Sequence, residues 1–255
     1  MSVWIVGGTS GIGKAIHSKL LSENDSGFLF VTGEEVDVTD SSALENQLVH
    51  ISDATTGEIE DPLRTVYFCA GINYLEWLGK MGERGRINAQ EVIDVNLMGF
   101  INLMDVLVKA SSEDLLTPPE WIRPRVDVVV ITSDAAERPM RTSTAYCASK
   151  AGLNMAIRCA ARELGPIGWR VFGIAPGMIE DTNNYPSKMT QYVDERVSEV
   201  RGWTREEAGA YEAQQSVIRN PLRIHPMDIA NFAVSLADSD TEHLNGNIFT
   251  VNGGR

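Results

Sequence analysis

A chain of 255 residues with 22 Lys and Arg against 35 Asp and Glu carries a formal charge of −13. That balance argues against nucleic acid or an anionic membrane surface as a partner. The length suits one α/β domain with an extensive core, and no repeat or low-complexity run marks a second. The first apolar run, Val3 to Val6, is strand-length and too short for a signal peptide. Three cysteines, Cys69, Cys147 and Cys159, show no metal-ligand spacing and suit a reducing cytoplasm.

Val3 to Val6 reads as a strand, followed at once by Gly7-Gly8-Thr9-Ser10-Gly11-Ile12-Gly13 and a helix from about Ile12 to Leu21. Glycines here let the backbone bend tightly and approach a pyrophosphate, which the helix N-terminus stabilises. An ordinary strand-to-helix turn would look similar. Phe28 to Val31 predicts a second strand and Val36 to Val38 a short third. Only Thr32 to Glu35 separates them, too few residues for a crossover helix. Asp37 also fits a turn-capping carboxylate. Ser42 with Glu45 forms a capping box for a helix to about Ile51.

Thr65 to Ala70 predicts the fourth strand, ending in Cys69-Ala70-Gly71, and the segment to Arg86 is irregular. A helix from about Ala89 to Ala110 places Val92, Val95, Gly99, Leu103 and Val106 at helical spacing, with Asn96 on the same side. Such an asparagine is ordinarily a helix–helix hydrogen bonder. The β-branched run Val126 to Thr132 predicts a buried strand ending at Ser133. A loop containing Pro139 leads into a helix that carries Tyr146 and Lys150 on one face and runs to about Leu164.

A hydroxyl, a phenol and an ammonium at the C-terminal end of a strand are the parts of a proton-transfer site. Tyr-x-x-x-Lys arises often by chance. The 13 residues from Ser133 to Tyr146, with a strand before and a helix after, weigh against that. Arg170 to Ala175 predicts the sixth strand, closed by Pro176-Gly177-Met178-Ile179; Met227 to Ala237 predicts a helix and Gly246 to Val251 a last strand. Between them, Asn183 to Asn220 carries a helical stripe of Met189, Val193, Val197 and Val200, then a capping box at Thr204 and Glu207.

The order and spacing of Ser133, Tyr146 and Lys150, with the opening glycine turn, resembles the short-chain dehydrogenase/reductase family over the whole chain. The resemblance implies one Rossmann-type domain, a doubly wound parallel sheet of about seven strands with helices on both faces. It implies hydride transfer between NAD(P) and a ketone/secondary alcohol pair, without a metal. Tyr146 is then the acid/base, Lys150 holds the ribose and favours the phenolate, Ser133 binds the reacting oxygen, and Asn96 supports a proton-relay water. A lysine ammonium ~4–5 Å from the phenol is expected to lower its pKa by two to three units at most.

Gly7, Gly11 and Gly13 match the family's Gly-x-x-x-Gly-x-Gly, and the loop residues Thr9, Ser10 and Ile12 go with them to the cofactor. Val6 stands where the family usually has Thr. The resemblance assigns Asp37 and Val38 to the adenine, and Cys69 (usually Asn), Ala70 and Gly71 to the ribose. Pro176, Gly177 and Ile179 go to the nicotinamide side, with Thr182 one residue later than the family's threonine. It makes about 183–220 a helical substrate lid.

NAD is expected over NADP, because Glu34 and Glu35 put negative charge beyond the second strand and no basic residue stands at Ser10 or Glu34. Arg138 and Arg141, between Ser133 and Tyr146, either bind a substrate carboxylate or are solvated. The implied partners are a small carbonyl or alcohol substrate and further copies of the chain, as dimer or tetramer. The alternatives are a 3-oxoacyl thioester reductase and a cofactor-sensing regulator without turnover. Regulators of that kind usually lose the Tyr or the Lys.

Overall fold

The computed structural model describes residues 2–23, 29–55, 63–111, 126–204, 206–208, 210, 211, 223–240 and 242–254. Six strands form one parallel sheet: β1 (Ser2–Val6), β2 (Leu29–Thr32), β3 (Leu63–Phe68), β4 (Asp127–Ile131), β5 (Arg170–Pro176) and β6 (Ile248–Val251). Their spatial order is β2-β1-β3-β4-β5-β6. In β1, β4 and β5 every residue is buried, as strands covered on both faces require. The seven named helices are α1 (Gly11–Ser22), α2 (Ser41–Thr55), α3 (Glu83–Ile93), α4 (Gly99–Ser111), α5 (Thr144–Leu164), α6 (Lys188–Arg201) and α7 (Pro226–Asp238).

Side chains alternate across the sheet with the period of two that a strand imposes. Trp4, Val6, Val66, Phe68, Val128, Val130 and Val171 face a core shared with Leu44 of α2, Phe100 and Leu103 of α4, and Leu153 and Ile157 of α5. Ile5, Tyr67, Val129, Phe172 and Ile174 face the other, shared with Ile16 of α1 and Ile229 and Ala233 of α7. Helices therefore cover both faces, giving the expected doubly wound architecture. The direction of strand addition reverses between β1 and β3. A crevice for a ligand opens at that reversal, at the strands' C-terminal ends.

Three local expectations change. The capping box at Ser42 and Glu45 gives way to Asp40, whose Oδ1 accepts the Ser42 amide at 2.9 Å ahead of a helix that already starts at Ser41. The predicted strand Val36–Val38 is a chain of turns. Val36 N–H bonds the Gly33 carbonyl at 3.4 Å, and Asp40 N–H the Asp37 carbonyl at 3.1 Å. The Asp37 carboxylate takes the Thr39 amide and hydroxyl at 2.9 and 2.8 Å. With β2 at the sheet edge, these residues satisfy their polar groups locally. The predicted single helix Ala89–Ala110 is instead α3 and α4 joined by a π-turn, Asp94–Met98. Such turns are rare and concentrate at functional sites.

At the sheet's N-terminal edge, Asp127 opens β4 and Arg170 opens β5, paired in register. Arg170, 2% exposed, donates to both Asp127 oxygens at 2.6 and 2.8 Å and to the Ala237 carbonyl at 2.9 Å. It also donates to the Ser239 carbonyl and lies 5.0 Å over the Phe172 ring. This clamp ties two central strands to the end of α7, far from the crevice.

Candidate active site

The glycine turn shows why its residues lack side chains. A Cβ on Gly7, which has φ +78°, would stand 2.7 Å from the Ala70 nitrogen; one on Gly13 would stand 2.2 Å from the Gly7 carbonyl oxygen. The Gly7 and Gly8 amides both donate to the Thr32 carbonyl, at 2.9 and 2.8 Å, folding the turn back on β2. Ser10 precedes α1 but its side chain makes no cap hydrogen bond. Close backbone approach at a helix N-terminus without a side-chain cap is what a pyrophosphate needs, so these residues fit a dinucleotide.

A cavity of about 1130 Å³ runs from this turn across the strand ends. It is lined by Gly7, Thr9, Ser10, Gly11, Ile12, Gly13, Asp37, Val38, Cys69, Ala70, Gly71, Pro176, Gly177 and Ile179, and by Ser133, Tyr146 and Lys150. The structure thus brings together all but two of the residues assigned from sequence. Thr182 is not among the lining residues; its hydroxyl accepts the Tyr185 amide at 3.0 Å, in a turn at the entry to the insertion.

Asn96 does not line the cavity either and is fully buried in the π-turn. Its Oδ1 accepts the Ile72 amide at 2.8 Å, and its Nδ2 donates to the Ile72 carbonyl at 2.9 Å and Ser149 Oγ at 3.0 Å. The side chain expected to support a relay water ties the β3 end to α5. The reason is local: the π-turn aims it at backbone left without a ladder partner beyond β3.

Ser133 stands two residues beyond β4, and its hydroxyl accepts the Ala135 amide at 3.2 Å. Tyr146 and Lys150 project from the first two turns of α5 and are 7% and 3% exposed. Burial pushes the Tyr146 phenol up to about 12, although a hydrogen bond with Ser133 acts the other way. Burial pulls the Lys150 ammonium down to about 8, partly offset by Cys69. Its Nζ donates to the Ile131 carbonyl at 3.1 Å and lies 5.9 Å from the Tyr146 ring centroid. The expected depression of the phenol pKa is therefore reversed: burial of the phenol outweighs the lowering by Ser133.

The helical stripe of the insertion faces the cavity at Met189, Val193 and Val197. α6 lies along the crevice and is held at both ends. The Gly11 amide donates to the Pro186 carbonyl at 2.8 Å, and Lys188 pairs with Glu34. At the far end Trp77 Nε1 donates to the Val200 carbonyl at 2.7 Å, and Arg201 donates to Thr142 Oγ1 at 3.0 Å and the Arg141 carbonyl at 2.7 Å. Thr142 carries a positive φ of 64°, a strained geometry fixed by these neighbours.

Sequence reasoning missed the aromatic wall: Tyr74 stacks edge-on against Tyr192 at 5.4 Å, and Trp203 lies 5.3 Å from Tyr211. The signal was the cluster of aromatics within the insertion, which helical periodicity alone does not assign to a wall. The capping box at Thr204 and Glu207 forms as expected, with reciprocal hydrogen bonds of 3.1 and 2.8 Å. Positions 212–220 of the insertion lie outside the described residues. Among the described residues no helix is long and apolar enough to cross a membrane, and no group of side chains could hold a metal ion.

Residues 10–255 match the family model described as Enoyl-(Acyl carrier protein) reductase. The chain is 28% identical over 265 residues to a 3-oxoacyl-(acyl-carrier-protein) reductase, MabA, of Mycobacterium avium, covering 99% of this chain and 89% of that protein. It is 25% identical over 268 residues to an uncharacterized short-chain type dehydrogenase/reductase of Sinorhizobium fredii, of which it spans 43%. Among solved structures it resembles a variant of actinorhodin polyketide ketoreductase with NADPH, at TM-score 0.78 and 19% identity over 99% and 96% of the two chains. A second likeness, ElxO with NADP bound, has TM-score 0.75 and 18% identity over 99% and 97%. With the glycine turn, the strand order and the Ser133–Tyr146–Lys150 constellation, these matches place the chain in the short-chain dehydrogenase/reductase family.

Proposed function

We propose that this protein interconverts a secondary alcohol and a ketone using a nicotinamide dinucleotide held at the glycine turn. The observation that carries this is the convergence of Ser133, Tyr146 and Lys150 on the cavity that begins at that turn. The cofactor, when bound, supplies or accepts the hydride. Ser133 holds the reacting oxygen. Tyr146, with its phenol kept protonated by burial, delivers the proton in the reductive direction and removes it in the oxidative one. Lys150 holds the ribose hydroxyls, and its charge beside the Tyr146 ring favours the phenolate. Asn96 acts at one remove, by fixing Ile72 and α5 around the reacting groups.

Asp37 and Val38 bound the adenine end, where Val38 packs against the position a Gly99 side chain would fill. Glu34 at the crevice rim favours a 2′-hydroxyl, and so NAD, over a 2′-phosphate. The segment at about 183–220 serves as the substrate lid, with α6 in the closed position. Arg138 pairs with Asp134 at 3.4 Å, which favours a role in shaping the loop over capture of a substrate anion. The protein acts in the cytoplasm, as a dimer or tetramer.

A second reading, 3-oxoacyl thioester reduction, is favoured by the MabA relatives at 25–28% identity. The charge of −13 opposes an acidic carrier protein as the donor of such a substrate. Turnover of NADH and NADPH against a panel of simple ketones and 3-oxoacyl thioesters tests both readings. Turnover confined to thioesters selects the second, and cofactor binding with no turnover on either class leaves a cofactor-sensing regulator.

A further inference from the structure

We propose that Lys188, carried on the lid, is a determinant of cofactor choice: it receives a 2′-phosphate at the end of β2, where Glu34 receives a 2′-hydroxyl. The inference rests on the dinucleotide reading above. In doubly wound sheets the ribose 2′ group lies just beyond the second strand. Gly33 and Glu34 follow β2 there, and both line the cavity with Ser187 and Lys188. Lys188 and Glu34 are 154 positions apart and meet as an ion pair.

The placement of Lys188 does not depend on that pair. The Pro186 carbonyl sits on the Gly11 amide at 2.8 Å, the Ser187 amide donates to Asp181 Oδ1 at 2.8 Å, and Ser187 Oγ accepts the Thr190 amide at 3.2 Å. These bonds fix the first turn of α6 beside the glycine turn. The pair itself adds little to stability, because its side chains are 75% and 78% exposed. A cation at the first position of a helix also opposes the helix dipole. Neither the fold nor α6 gains from Lys188 at this place, whereas a phosphate beside Glu34 would.

Of the other cations lining the cavity, Arg141 lies in the loop between Ser133 and Tyr146, and the remaining three are engaged elsewhere. Lys150 is on the Ile131 carbonyl, Arg138 on Asp134, and Arg201 on Thr142 and the Arg141 carbonyl. Glu35 is turned back on the Gly33 amide at 2.7 Å. Glu34 and Lys188, one of each sign, are thus the charges that meet at this corner, while the nearby Asp37 carboxylate is taken up by the Thr39 amide and hydroxyl. With a 2′-hydroxyl bound, Glu34 accepts from the ribose and keeps Lys188. With a 2′-phosphate, of roughly −1.5 to −2 charge, Lys188 turns to the phosphate and offsets its repulsion by Glu34. The wild-type preference between the cofactors is accordingly modest, within about tenfold.

The test uses the whole protein and equilibrium binding. Dissociation constants for NADH and NADPH come from fluorescence titration, and those for 5′-ADP and 2′,5′-ADP, which lack the nicotinamide, from calorimetry. K188Q is expected to lower the NADPH-to-NADH affinity ratio about 5- to 20-fold and the 2′,5′-ADP-to-5′-ADP ratio by a similar factor. K188R retains the wild-type ratios, E34Q raises them, and high salt shrinks every effect because the charges are exposed. Ratios that K188Q leaves within about twofold of wild type, whether or not overall affinity falls, overturn the role of Lys188 while leaving the dinucleotide reading intact. Failure of the wild-type protein to bind either dinucleotide overturns both.

Discussion

The two ends of the sheet bury one cation each and treat it in opposite ways. Arg170, at the N-terminal edge, meets both oxygens of Asp127 and the Ala237 and Ser239 carbonyls. Lys150, at the C-terminal edge, has the Ile131 carbonyl at 3.1 Å, and burial lowers its pKa to about 8. A buried charge surrounded by acceptors holds elements together. One held with few is thermodynamically costly and chemically available. The difference separates architecture from chemistry within a single sheet.

Removing only the reactive oxygen should break activity and spare the fold. Tyr146→Phe is expected to lower turnover by about 10²–10⁴-fold while thermal unfolding stays close to wild type. Turnover near the wild-type rate would remove Tyr146 from its role. At the opposite edge the pattern should invert. Arg170→Met leaves Asp127 buried without its guanidinium and is expected to cost about 3–5 kcal/mol in denaturant unfolding, with turnover per folded molecule little changed. A loss below about 1 kcal/mol would show that the clamp is not the anchor it looks to be.

Lys150→Met sharpens the comparison, because it removes a group whose burial is unfavourable. Ligand-free stability at pH 7 should rise by about 1–3 kcal/mol while cofactor affinity and rate both fall. The linkage has a definite sign. The folded pKa of about 8 lies below the ordinary lysine value of 10.5, so the unfolded chain binds more protons between them. Stability therefore rises with pH from about 8 to 9, above which the buried Cys69 thiol, pushed up to about 12, works against the trend, and the rise should vanish in Lys150→Met. A flat profile in the wild-type protein would mean that Lys150 finds another partner in solution. Above that window the raised Tyr146 works against the trend, since the unfolded phenol ionises first.

The smallest effect concerns the lid. From sequence, Asn183 to Asn220 is expected to be mobile without ligand and ordered with it. In the structure α6 lies across the crevice, with bonds at Gly11, Trp77 and Thr142. Hydrogen exchange should show moderate protection of α6 amides that increases severalfold when a dinucleotide is added. Equal, strong protection in both states would make the segment a fixed layer. Arg201→Lys should lower protection at α6 while leaving the sheet unaffected, since its fork to Thr142 and the Arg141 carbonyl is not reproduced by an ammonium.

The sequence by itself determined whatever depends on neighbours within a turn or two. The glycine turn is legible because backbone crowding at Gly7 and Gly13 excludes any side chain there. Tyr146 and Lys150 are legible because a helix stacks residues four apart. Strands β1, β4 and β5 are legible because burial on both faces leaves unbroken apolar runs. Tertiary structure decided the rest. Val36–Val38 has strand-like residues, yet at a sheet edge it finds no ladder and closes into turns around Asp37. Asn96 was visible as a polar residue on an apolar helix face, but only the π-turn and Ile72 fix what it binds. Thr182 fell into a turn, and Lys188 reached Glu34 across 154 positions. Periodicity carries no information about such encounters, because they depend on where the chain returns after a crossover and not on what lies beside it in sequence.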